Sequence, residues 1–151
     1  MFLLMAFNIR VYGLCLDLQQ KLLVVDEFRG GYRFTKFPGG GLEQGEGTIE
    51  CLKREFKEET GQEIKIKSHF YTTDFYQPSF FNQHDQIISI YYLIDSEVLN
   101  NIDISHQKHA YHDEEEEPVS FRLVDLKTVD EDEFKFPIDK VVLKKLKNTV
   151  K

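Results

Sequence analysis

Between residues 38 and 61 the chain reads Pro38-Gly39-Gly40-Gly41, then Gly45 and Gly47, then a stretch without glycine or proline that ends at Gly61. So much glycine in so short a span bends the backbone sharply or lets it approach something a Cβ would exclude. The glycine-free stretch reads as a helix over about residues 49–59. Thr48 is a capping residue type, Glu50 puts a negative charge in the first turn, and Gly61 supplies a left-handed stop. Ile49, Leu52 and Phe56 form its apolar stripe.

That helix carries an unusual charge pattern. Glu55, Glu58 and Glu59 stand at i, i+3 and i+4, so their carboxylates project from one helical face and repel one another. Retaining such repulsion calls for solvent screening or a cation, and an all-oxygen cluster suits Mg2+ or Mn2+ rather than a soft metal. Arg54 lies four residues before Glu58 and can pair with it or with Glu46, orienting some carboxylates while others face the ion. The glycine loop Gly39, Gly40 and Gly41 adds backbone groups that approach phosphate oxygens closely. A metal cluster beside a phosphate cradle is what hydrolysis of a pyrophosphate bond needs.

At these spacings Gly40, Glu46 and Arg54-Glu55-Phe56-Lys57-Glu58-Glu59-Thr60-Gly61 resemble the Nudix box. One position departs from the pattern: Gln62 stands where an apolar residue is usual, and Ile64 can supply the packing. Pro38-Gly39 and the order of strands extend the resemblance over most of the chain. It implies an α/β fold, an α/β/α sandwich on a mixed β-sheet, with residues 1–151 as a single Nudix domain. It implies Mg2+, with Mn2+ as a substitute, held by Glu55, Glu58 and Glu59 and by the Gly39 carbonyl. Arg54 would belong to the catalytic set, while Gly40, Gly41 and Glu46 shape the binding loop. The implied reaction is hydrolysis of a nucleoside diphosphate linked to another moiety, as in a nucleoside triphosphate, ADP-ribose or a nucleotide sugar. The attacking water would give its proton to a box glutamate or to one of Glu114, Glu115, Glu116 and Glu117, a run that otherwise reads as a solvated loop. A homodimer is plausible on the resemblance alone.

The remaining chain is consistent with this. Residues 7–15 and 21–26 read as two strands of a hairpin, and further strands fall near 63–75, 86–94 and 119–124. An amphipathic helix is predicted over 138–147 through Val141, Val142 and Leu146. The net charge of −7 disfavours DNA and RNA. With only Cys15 and Cys51, reduced thiols in the cytoplasm are the simpler reading. The apolar opening of residues 1–7 lacks the parts of a secretory leader and is too short to span a bilayer.

Among the aromatic residues, Tyr76, Phe80 and Phe81 are candidates to stack on a nucleobase. Arg29, Arg33 and Lys36 precede the glycine loop and could touch phosphate, but they read first as solvated surface, and His106, His109 and His112 read as a polar loop rather than a metal site. Two other functions share the resemblance. A non-catalytic nucleotide sensor would have less need of the full carboxylate set, and an RNA-end hydrolase would need a basic track that the acidic balance disfavours.

Overall fold

The computed structural model describes residues 5–111 and 116–150. In chain order the elements are β1 (Phe7–Cys15), β2 (Lys21–Arg29), β3 (Tyr32–Lys36), β4 (Gly39–Gly41), α1 (Thr48–Thr60), β5 (Ile66–Thr72), β6 (Gln86–Ile94), β7 (Ile104–Ser105), β8 (Val119–Asp125) and α2 (Pro137–Thr149). They form two four-stranded sheets, ordered β4-β1-β6-β5 and β3-β2-β8-β7. Each sheet is mixed: β1 runs parallel to β6 and β7 parallel to β8, while every other pairing is antiparallel. The α/β class expected from the sequence holds, with the mixed sheet divided in two.

The expected β1–β2 hairpin is corrected by this topology. The two strands meet only at a Leu16–Leu22 bridge and a bond from the Asp17 amide to the Lys21 carbonyl, then part into different sheets. Both carry apolar side chains on both faces, so each must be covered twice. From β1, Val11 and Cys15 enter the core under α1, while Tyr12 and Leu14 enter the core under α2. From β2, Leu23 and Val25 join the first core, and Leu22 and Val24 the second. Helices on both sides of shared strands produce the layered sandwich. No helix among the described residues is long and apolar enough to cross a membrane.

Helix α1 begins differently from the expectation. Its N-cap is Gly47, and no side chain caps it. The Thr48 hydroxyl instead shares a 2.6 Å hydrogen bond with the Tyr92 hydroxyl, which ties the helix start to β6. Ile49 is exposed, and Cys51, Leu52 and Phe56 form the buried stripe. Full burial of the Leu52 and Phe56 side chains is worth about 2–3 kcal/mol each. Gly61 closes the helix in the left-handed region (φ 73°) with its amide bonded to the Lys57 carbonyl. Ile64 is buried as expected, so Gln62 need not be apolar.

Helix α2 starts with Pro137 at its first position, where a missing amide costs nothing. Two residues later Asp139 is buried at 2 % exposure and accepts a 2.7 Å hydrogen bond from the Tyr91 hydroxyl. Burial pushes its carboxyl up to about 7, against the bond from Tyr91 and the positive charges of Lys36 and Arg10. The folded chain therefore holds this proton more tightly than the unfolded chain does. The resulting stability is complete below about pH 4 and is lost as pH rises through about 7. Thermal unfolding of the wild type and Asp139→Asn at matched pH isolates the effect. The wild type is expected to lose up to about 4 kcal/mol relative to the variant between pH 4 and 8, and a pH-independent difference would refute the assignment.

Candidate active site

The glycine loop and α1 meet through one arginine. Arg54 donates to both oxygens of Glu46, Nε at 2.9 Å and Nη2 at 2.7 Å. The same side chain reaches Glu55 at 3.0 Å, Glu58 at 3.3 Å and the Gly41 carbonyl at 3.0 Å. The planar fork of guanidinium satisfies these acceptors together, which a lysine ammonium cannot do. Its hydrogen bonds, joined by one from the Glu43 amide, hold Glu46 down to about 2. Both partners proposed for Arg54 from spacing are thus engaged, and Glu55 is a third.

The glycines permit this closeness. A Cβ on Gly40 would lie 2.3 Å from the Glu55 carboxyl carbon, and one on Gly39, at φ +146°, would lie 2.0 Å from the Val11 carbonyl oxygen. Gly39 therefore lets β4 pair with β1, and Gly40 gives room to a carboxylate.

Glu55 and Glu59 are partly buried, whereas Glu58 is exposed. Burial pushes the Glu59 carboxyl up to about 7; Lys36 opposes the rise, and Glu55, Glu27 and Glu58 add to it. Glu27, on β2, is one residue beyond the strand end expected from the sequence. It is 7 % exposed, and its Oε2 is enclosed with no hydrogen-bond partner. Lys36 Nζ stands 3.3 Å from that oxygen and donates to the Gly39 carbonyl at 3.3 Å. At 5 % exposure Lys36 is buried, which corrects its reading as solvated surface. Strand alternation explains why: Lys36 pairs in register with Val25, on the face of β2 that α1 covers.

Glu55, Glu59, the Gly39 carbonyl and Glu27 Oε2, which takes part in an ion pair but no hydrogen bond, are oxygen donors of the kind a hard divalent cation accepts. Glu55 is turned towards Arg54 and Glu27 towards Lys36. Among the described residues, no three acidic, histidine or cysteine side chains already converge on one metal position.

Beside this cluster lies a cavity of about 790 Å³ bounded by β1, β3, the 76–85 segment and the start of α2. Arg10, Lys36 and Asp139 line it together with Tyr32, Phe34, Tyr76, Phe80, Phe81 and Phe136. The three aromatic residues selected from the sequence all face it. Arg29 also lines it, its guanidinium 4.2 Å above the Phe81 ring, whereas Arg33 is exposed. The contributions of Glu27 and Asp139 went unrecognised in the sequence, whereas Lys36 reads there only as a surface group or a phosphate contact.

Among the described residues, no histidine and no member of the acidic run lines the cavity. Glu116 and Glu117 are exposed, while His112, Glu114 and Glu115 lie outside the described residues. His109 donates its backbone amide to buried Asp26 at 3.1 Å, and its ring pairs with the Tyr111 hydroxyl at 3.0 Å. Burial alone would raise Asp26, but bonds from Arg122, Thr35 and the His109 amide hold it low.

The two glycines are expected to fail in different ways. Gly40→Ala meets only the end of a flexible side chain, so the fold should persist while displacement of Glu55 lowers activity by about 10–100-fold. Gly39→Ala meets backbone at a positive φ and should lose about 3 kcal/mol or more of stability. Circular dichroism melts and turnover of both variants check this; equal melting temperatures would contradict it.

The NUDIX domain model matches residues 6–146. No curated protein matches the chain. Among solved structures, the MutT protein from Methanosarcina mazei Go1 superposes with a TM-score of 0.70 at 17 % identity, covering 99 % of this chain and 100 % of that one. A NUDIX hydrolase from Nitrosomonas europaea gives 0.68 at 16 % identity, covering 94 % and 89 %. At these identities the structures speak for the fold, and the domain match over nearly the whole sequence speaks for the family. The chain belongs to the Nudix hydrolases, enzymes acting on acid anhydrides in phosphorus-containing compounds.

Proposed function

We propose that this Nudix hydrolase cleaves, with Mg2+, the pyrophosphate bond of a nucleoside diphosphate linked to another moiety: a nucleoside triphosphate, ADP-ribose or a nucleotide sugar. The observation that carries the reading is the cavity itself. Its volume of about 790 Å³ lies within the range of small-molecule sites, and its wall changes from aromatic rings to the cations Arg10 and Lys36 beside the acidic helix. A nucleobase suits the aromatic wall, and a diphosphate suits the cationic one.

Glu55, Glu58, Glu59 and the Gly39 carbonyl would hold Mg2+, or Mn2+ in its place. When bound, the ion neutralises diphosphate charge and acidifies a water molecule. Arg54 keeps Glu55 and the loop in position by bonding the carboxylate and the Gly41 carbonyl. Arg10, fixed by a 2.6 Å bond from its Nε to the Tyr12 hydroxyl, lies where it can neutralise a phosphate. A carboxylate of α1 orients the attacking water and takes its proton during in-line displacement. Free nucleotides and two unpaired buried cysteines both suit a cytoplasmic setting.

The test is hydrolysis of a panel of nucleoside triphosphates, ADP-ribose, nucleotide sugars and dinucleoside polyphosphates, with Mg2+ or chelator. At least one substrate should be cleaved only with Mg2+, and Glu59→Gln should slow that reaction by about a hundredfold or more. Tight nucleotide binding without turnover of any panel member would instead identify a non-catalytic sensor.

A further inference from the structure

Lys36 is the least explained charge in the site. It presents three donors from a 5 % exposed position, yet among the described residues it makes one hydrogen bond, to the Gly39 carbonyl at 3.3 Å. Its ion-pair partner, Glu27 Oε2, is equally close but not aligned for a hydrogen bond. The same ammonium lies 5.7 Å from the Tyr12 ring centroid and lines the cavity. It therefore touches both halves of the site, the oxygen donors and the chamber proposed for substrate.

We propose that Lys36 is a built-in cation that competes with the divalent ion for the Gly39 carbonyl and the surrounding carboxylates, and turns to the substrate diphosphate once that ion is bound. This rests on the metal-dependent function proposed for the site. A divalent ion on the Gly39 carbonyl would stand within a few ångströms of an ammonium already bonded to the same oxygen, and two cations so close in a water-poor site repel strongly. A loosely satisfied ammonium on a flexible stem relieves the repulsion by swinging away, and a diphosphate in the cavity offers the acceptors it lacks. Metal and substrate would then load cooperatively, because each removes a cost that the other faces.

The experiment is a Mn2+ titration followed by electron paramagnetic resonance of the free ion, without nucleotide. It compares wild type, Glu59→Gln, Lys36→Met, Glu27→Gln and the double variant Lys36→Met/Glu27→Gln. The double variant keeps the wild-type net charge and removes both members of the buried Lys36–Glu27 pair together, so it remains informative if Lys36→Met alone does not fold. Mn2+ is expected to bind the double variant about tenfold or more tighter than Glu27→Gln. Equal or weaker binding would overturn the competition and leave Lys36 a structural partner of Glu27. Adding methylenediphosphonate, which is not hydrolysed, should tighten Mn2+ binding by a larger factor in the wild type than in the double variant. An equal factor in both would overturn the hand-over to substrate. Failure of the metal reading itself looks different: the wild type would then bind Mn2+ no better than Glu59→Gln.

Discussion

Like-charge repulsion on one face of α1 is the constraint on which the rest of the structure depends. An isolated helix with Glu55, Glu58 and Glu59 on one face would be weakened by their mutual repulsion. Here the cost is offset by Arg54, which bonds Glu55 and Glu58 and extends to Glu46 and the Gly41 carbonyl. The arginine can span loop and helix only because Gly40 leaves space for the Glu55 carboxylate against the backbone. Loop and helix are thus conditions for each other, and neither half of the box has this geometry alone. Glu59 lies outside the reach of the arginine fork, and the nearby positive charge that moderates it is Lys36.

The sandwich brings that lysine to the acidic helix. Because β1 and β2 are apolar on both faces, they separate into two sheets and place one helix over each side. Along β2 the alternation that sends Leu23 and Val25 under α1 carries Glu27 to the same side, and register carries Lys36 there from β3. A buried carboxylate and a buried ammonium on adjacent strands are costly as solitary charges but acceptable as a pair. In this position they also adjoin the box, so a pair formed by sheet register becomes part of the electrostatics of the site.

The legible parts of this protein are those encoded over a few residues. The box, the position of α1 and its Gly61 stop, strand β6, and the second helix to within a turn could all be read from local order and spacing. What could not be read depends on partners distant in sequence. Asp26 and Glu27 look like the polar exit of a strand, yet β2 continues to Arg29 because β3 and β8 pair with it there. Thr48 has the chemistry of a cap, but the Tyr92 hydroxyl competes for its side chain. Nothing beside Asp139 in sequence announces that Tyr91 will meet it, 48 positions away.

The same distinction separates the chemistry from the choice of substrate. Carboxylates, arginine and glycines lie within one contiguous segment, so the machinery proposed for hydrolysis has a local signature. The cavity wall is assembled from β1, β3, the 76–85 segment and the start of α2, and its features arise only on folding. Lys135 sits 4.9 Å from the Phe80 ring centroid, and Arg29 sits 4.2 Å from that of Phe81. A cation over one face of a ring restrains its rotation and leaves other edges and faces available for contact. Asp139, protonated through much of the range below pH 7, adds a carboxyl that can donate as well as accept a hydrogen bond. Together with Arg10 and Lys36, these restrained rings and one buried carboxyl give the cavity a definite shape and hydrogen-bonding pattern beside its positive charge. On the function proposed above, selection among nucleotides would rest with residues outside the box, while the reaction common to those substrates would rest within it.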